Sequence, residues 1–271
     1  MMWTYGQGAF ARTGKLITER RVSMRFDVVT LFPELFTPFL TVGITRRAFD
    51  SGQLDVKLSN PRDFAIGNYR RVDDRPFGGG PGMVMMADPL ERALTHIRTQ
   101  RSDLVPVVLF SPVGKRLDHT DVQRWAGSDG AILMCGRYEG VDQRFIDTHV
   151  NEQISLGDFV LSGGEVAAMA LLDAVARLQP VVLTDPDSHH MDSFNPALDG
   201  LLDCPHYTRP EEWAGQLVPE VLLSGHHGRI ARWRRDQRLQ WTAKHRPDLL
   251  EAARTAGQLT KLDEAVLALN R

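Results

Sequence analysis

The chain has 271 residues, 42% hydrophobic and 24% charged, with 23 glycines and 15 prolines; this composition excludes collagen-like, low-complexity and wholly disordered chains, and the length allows about two domains. With 32 Lys+Arg against 34 Asp+Glu the formal charge is only -2, so any nucleic-acid binding must come from a local patch. Cys135 and Cys204 show neither metal-ligand nor disulfide spacing, and no apolar run approaches a membrane span of roughly 18 to 20 residues, which fits a soluble cytoplasmic protein.

Residues 1–23 carry Arg12, Lys15, Arg20 and Arg21 without a contiguous apolar stretch, so they read as a disordered or extraneous leader rather than a signal peptide. The β-branched run 26–32 predicts a strand, and Pro33 opens a helical pattern interrupted near Pro38 and Gly43. A strand at 54–58 precedes a long loop, 60–82, rich in Arg, Asp, Pro and Gly. Helices at 89–101, 118–126, 142–149 and 164–178 then alternate with strands at 105–110, 131–135 and 153–156. This alternation predicts an α/β domain over 24–183, its mainly parallel sheet covered by helices on both faces. The turn-rich segment 184–197 reads as a flexible interdomain linker. Residues 198–271 show no strand alternation but three helical patterns, at 228–244, 247–256 and 260–270, which predict a smaller all-helical second domain.

Three glycine-containing segments follow three predicted strands: 111–114 (SPVG), 136–140 (GRYEG) and 156–164 (LGDFVLSGG). In an open parallel sheet such loops share one edge, where ligands bind. Glycine there would let backbone groups approach a flat heterocycle. Each loop alone is also what any α/β fold needs, and Ser162-Gly163-Gly164-Glu165 reads as a capping box. The run FGGGPG at 77–82 does not satisfy G-x-G-x-x-G, and Gly114-Lys115 lacks the P-loop glycine upstream, which disfavours a usual dinucleotide or nucleoside-triphosphate site.

Residues 229–246 hold Arg229, Arg232, Arg234, Arg235, Arg238, Lys244 and Arg246 against the single acid Asp236, with Trp233 and Trp241 interleaved. Such a basic helix suits RNA phosphates; the competing reading is a solvated face with two core tryptophans. Arg70, Arg71 and Arg75 flank the glycine-rich loop and form a second candidate phosphate-contacting edge. Met83, Met85 and Met86 read as core, and His226-His227 lack a third metal ligand.

The strings LFPELF (31–36), RPFGGGPGM (75–83), SPVGK (111–115), GRYEGVD (136–142), SLGDFVLSGGE (155–165) and DGLLDCPHYTRP (199–210) resemble, in order, the bacterial tRNA (guanine-37 N1)-methyltransferases. The resemblance implies a knotted SPOUT-class enzyme that uses S-adenosylmethionine, acts on tRNA where another guanine precedes the target, and works as a homodimer with its active site at the interface. It also implies a deep trefoil knot at the C-terminal end of the α/β domain, which periodicity does not reveal. Matching positions would place the cofactor among Leu109, Ser111, Pro112, Gly114, Gly136, Tyr138, Glu139, Leu156, Gly157, Phe159, Leu161, Gly163 and Gly164. Glu139 would be a ligand for Mg2+. Asp192 would be the base and Arg177 the cation beside guanine O6. Without the resemblance, Arg177 reads as a helix C-terminal charge and Asp192 as a turn residue. The spacer 195–198 is longer than the family's near-continuous join, which makes Asp199 a rival base. The alternatives are a related knotted enzyme acting on a ribose 2′-hydroxyl or ribosomal RNA, and a non-catalytic RNA-binding protein.

Overall fold

The computed structural model describes residues 24–184 and 188–269; the leader, residues 185–187 of the linker and the last two residues lie outside the described residues. The chain opens with β1 (Met24–Val29), a 3-10 turn at Pro33–Leu35, α1 (Phe36–Thr41), α2 (Arg46–Asp50) and β2 (Leu54–Ser59). Pro38 does not break the first helix, because it sits in the first turn, where its missing N–H would have no intrahelical partner anyway. The break falls after Thr41, around Gly43 with its φ of +85°. Within the long loop, a 3-10 turn at Pro61–Phe64 is capped by the Asn60 side chain. The two-residue strands β3 (Asp73–Asp74) and β4 (Val84–Met85) then pair antiparallel.

From α3 (Ala87–Thr99) the order is β5 (Val107–Arg116), α4 (His119–Ala126), β6 (Gly130–Met134), α5 (Gln143–His149), β7 (Glu152–Ser155) and α6 (Glu165–Arg177). The five long strands form one parallel sheet in the order β2-β1-β6-β5-β7. Alternate residues of each strand feed opposite cores, as a two-sided parallel sheet requires. Phe26, Val28, Ala131 and Leu133 pack toward Trp125, Leu171 and Val175. Val29, Ile132 and Met134 pack toward Leu90, Leu94, Ile97 and Phe145. Met85 is core, as expected.

The strand predicted at 105–110 continues to Arg116. Phe110 and Lys115 both register with Ile154 of β7, so residues 111–114 bulge from within β5 instead of following it as a loop.

After α6, the described part of the predicted linker holds a 3-10 turn at Ser188–Met191 and leads into another, Pro196–Leu198, capped by buried Asn195. The remainder is β8 (Glu212–Trp213), β9 (Gln216–Leu217), α7 (Glu220–Leu223), α8 (His227–His245), α9 (Pro247–Thr255) and α10 (Lys261–Ala268). This part is therefore not wholly helical. β8 and β9 make a hairpin whose turn residues, Ala214 and Gly215, both have positive φ, the geometry that matches strand twist. Leu201, Leu239, Leu250, Ala253 and Leu267 form a separate small core under α8–α10. No described helix is long and apolar enough to cross a membrane.

Candidate active site

A cavity of about 480 Å³ opens beyond the carboxyl ends of β6 and β7 and beside the bulge within β5, walled by segments 111–113, 136–141 and 153–164. Its size suits a cofactor-sized ligand. Every residue expected at the cofactor lines it except Gly114. A Cβ on Gly114 would lie 2.5 Å from the Gln153 carbonyl oxygen and against the Ile154 nitrogen, so this glycine lets β5 and β7 touch and does not face the cavity. Gly163 and Gly164 line the wall but are small for a similar reason. A Cβ on Gly164 would be 2.8 Å from Cys135 Cα, and one on Gly163 would strike the Arg137 side chain. These glycines serve chain-on-chain packing as much as ligand approach.

The second and third loops are fastened together. The Gly164 N–H donates to the Gly136 carbonyl at 3.0 Å, and Arg137 pairs with Gly163 in an isolated bridge. Arg137 Nη1 donates to the Ser162 carbonyl and hydroxyl at 3.2 and 3.3 Å. Arg137 Nε sits 2.9 Å from Glu165 Oε2, and the guanidinium lies over the Phe32 ring. Glu165 is 1% exposed and accepts from the Thr30 hydroxyl at 2.8 Å. The expected capping box does not form: α6 is capped by Gly164 without a side-chain bond. A buried carboxylate needs compensating partners, and Arg137 and Thr30 supply them. Reading the segment for its glycines passed over Arg137 and Glu165, although both lie within GRYEGVD and SLGDFVLSGGE.

Tyr138 is held at φ +60°, in the left-handed region where a side chain is strained, with its phenol half exposed at the cavity. Among the described residues Glu139 is the only acidic side chain in the wall, and its carboxylate packs on Gly82 of the glycine-rich loop. Among the described residues no cluster of three His, Cys, Asp or Glu could hold a metal.

Arg177 ends α6, and its Nη2 donates to Asp192 Oδ2 at 2.7 Å. Both side chains are nearly two-fifths exposed, so a substrate can reach them. The cavity, however, touches only the other end of this helix, at Gly164 and Ala167. The ten-residue step from Ala167 to Arg177 puts the arginine's backbone about 15 Å further along the helix. The structure thus brings Asp192 to Arg177 but brings neither to the cavity of the same chain. Asp199, the rival base, is committed elsewhere: its carboxylate receives Arg235 Nη1 at 2.6 Å. His119, at the start of α4, was not foreseen, because 118–119 read only as a helix start. Its Nε2 is buried without a partner. Burial lowers its pKa from the usual 6.5; Asp192 opposes this and Arg177 reinforces it.

The arginines of α8 divide into two sets. Arg232 pairs with Asp236 and Asp263, Arg235 with Asp199 and Asp263, and Arg238 with Asp203. Arg229 and Arg234 are exposed and make no ion pair among the described residues. Of the loop arginines, Arg70 and Arg71 are exposed and paired with Asp63 and Asp74, whereas Arg75 is exposed with no ion pair among the described residues.

The family model described as tRNA (Guanine-1)-methyltransferase TrmD matches residues 24–252. A tRNA (guanine-N(1)-)-methyltransferase of Albidiferax ferrireducens is 72% identical over 245 residues, covering 90% of this chain and 99% of the relative. The same enzyme of Paracidovorax citrulli is 71% identical over 249 residues (90% and 98% covered), and that of Bordetella pertussis 57% over 249 residues (90% and 97%). On this match, the chain belongs to the TrmD family of tRNA (guanine-1)-methyltransferases.

Proposed function

We propose that this protein transfers the methyl group of S-adenosylmethionine to N1 of guanine-37 in tRNA, beside the anticodon and after another guanine. The observation that carries this reading is that three segments remote in sequence, all belonging to the family motifs, close around one cavity, two of them at the carboxyl ends of β6 and β7 and the third as the bulge within β5. The cofactor supplies an electrophilic methyl on a sulfonium. Leu109, Leu156, Phe159 and Leu161 give it apolar walls, while the segments at 136–140 and 157–164 offer main-chain polar groups.

The N1–methyl bond forms as the methyl–sulfur bond breaks, the N1 proton passes to the Asp192 carboxylate, and charge that builds on O6 is met by Arg177. The Arg177–Asp192 pair at 2.7 Å keeps base and cation together before substrate arrives. A positioned general base supplies about 10² to 10⁴ in rate, and orientation of the two reactants can supply more.

The separation of about 15 Å along α6 is the reason to read the enzyme as a homodimer. One copy's cavity would be completed by the Asp192–Arg177 pair of the other. Residues 24–183 would be the cofactor domain, 198–271 the tRNA-binding domain and 184–197 the segment that carries the base between them. A trefoil knot is in keeping with Gly114, whose bareness allows β5 and β7 to pass at backbone contact. A magnesium ion at Glu139 would draw its remaining ligands from bound substrate. Arg75 and Arg229 are the freest phosphate contacts; Arg70, Arg71, Arg232 and Arg235 would exchange an internal carboxylate for one.

Labelled methyl donor and unmodified tRNA test the reaction, with the product expected at N1 of guanine-37; label on a ribose or on another base would overturn it. The shared site is tested by mixing two dead variants, Asp192→Ala and Leu161→Trp, the latter filling the cavity from a partly exposed wall position. Random re-pairing gives half heterodimers, each with one intact site of two, hence about a quarter of normal activity. No recovery from a re-paired mixture refutes sharing.

A further inference from the structure

A second cavity, of about 460 Å³, lies in the C-terminal part, between the segment 205–211, Val218, α7 and α8. None of its wall belongs to the site described above. Tyr207 and Trp233 both line it, with ring centroids 6.2 Å apart and planes tilted by 59°, so the rings do not stack on each other. Tyr207 is half exposed. Leu222 and Leu223 of α7 add apolar wall. Arg209 and Arg234 stand at this cavity, both exposed and without an ion pair among the described residues, unlike Arg232, Arg235 and Arg238 of the same helix. Among the described residues Glu211 is the only carboxylate in the wall.

Aromatic faces beside unpaired guanidiniums suit an unstacked nucleotide, with its base on a ring and its phosphate on the arginines. A carboxylate can in addition accept from an exocyclic amino group. We propose that this cavity is a second nucleotide-binding subsite, which takes one unpaired base of the substrate RNA other than the methylated guanine. It rests on the reading of the protein as a tRNA-modifying enzyme. Arg209 and Arg234 hold the phosphate of that nucleotide, and Tyr207 and Trp233 hold its base. Such a subsite fixes where the RNA lies before any chemistry occurs.

The experiment measures binding of full-length tRNA transcripts that are made abasic at one loop position at a time, with the whole protein at fixed salt. One position should lose about 5- to 150-fold in affinity with the wild type, as expected for a stacked base. That loss should disappear in Trp233→Ala and Tyr207→Ala, while Trp233→Phe keeps it. Arg209→Ala and Arg234→Ala should each reduce the slope of log affinity against log salt by about 0.7 to 0.9. The proposal is overturned if Trp233→Ala weakens every transcript by one factor, or if Tyr207→Ala, a change at an exposed ring that the fold tolerates, couples to no position. Failure of the wild type to methylate tRNA overturns the underlying reading; normal methylation without such coupling overturns this subsite alone.

Discussion

Asp263 ties the basic helix α8 to α10, and replacing it with alanine should unseat both. Its side chain is 2% exposed and takes Arg232 Nη1 at 3.2 Å and Arg235 Nη2 at 3.1 Å. It also closes a capping box with Thr260, accepting the Thr260 N–H at 3.0 Å. Removing one partner of a buried pair costs about 3–5 kcal/mol, and losing a cap about 0.5–2 kcal/mol. Arg235 keeps Asp199 and Arg232 keeps Asp236, which pulls the expected total for Asp263→Ala toward the low end, about 3 kcal/mol. Burial alone would raise the Asp263 pKa, but hydrogen bonds from Arg235 and Thr260 overcome this and lower it from 3.8 to about 2. The stabilisation is therefore complete above the unfolded value and is lost as pH falls through the folded one, between about pH 4 and pH 2. Urea denaturation followed by circular dichroism, at neutral pH and on acidification, measures both effects. A loss below about 0.5 kcal/mol for Asp263→Ala, or an unchanged acid limb in Asp263→Asn, would refute the reasoning.

Gly114→Ala drives a Cβ into the backbone of β7 and should cost more than the roughly 1–3 kcal/mol of ordinary overpacking, whereas Gly136→Ala, whose Cβ meets only side chains at 3.6 Å or more, should stay within about 1 kcal/mol; paired denaturation curves decide. Glu165→Gln removes the charge facing Arg137 while keeping an acceptor for Thr30. It should weaken binding of the methyl donor about tenfold by titration calorimetry, and unchanged affinity would count against the loop clamp. Folded His119 holds its proton less well than unfolded His119, so its contribution to stability is full above about pH 6.5 and lost as pH falls below it. His119→Gln should flatten that limb of the stability–pH curve, and a limb as steep as the wild type's would show that His119 is not its source.

The α/β architecture was legible because the central strands contain short apolar runs and α4 and α5 carry their own start signals, Asp118 and Asp142. Continuous strand pairing through a bulge was not legible at residues 111–114, since Pro112 and Gly114 carry the same local signals in a loop and in a bulge. The Ala214-Gly215 hairpin escaped because two-residue strands have no periodicity to read. The cavity was legible as three motifs, but the role of Gly114 was not, since what it touches, Gln153 and Ile154, is decided by tertiary contact. The charge of α8 misled for the same reason. Its balancing acids Asp199, Asp203 and Asp263 lie far from it in sequence, and no local window contains them.

That internal balancing bears on how the protein would search a crowded cell. Polyanions are everywhere, and a helix with every guanidinium free would linger on whichever one it met first. Carboxylates of the protein's own already occupy Arg232, Arg235 and Arg238, leaving few cations available for indiscriminate adhesion. Encounters with wrong molecules should then be brief, and residence time would be set by shape fit rather than by attraction at a distance.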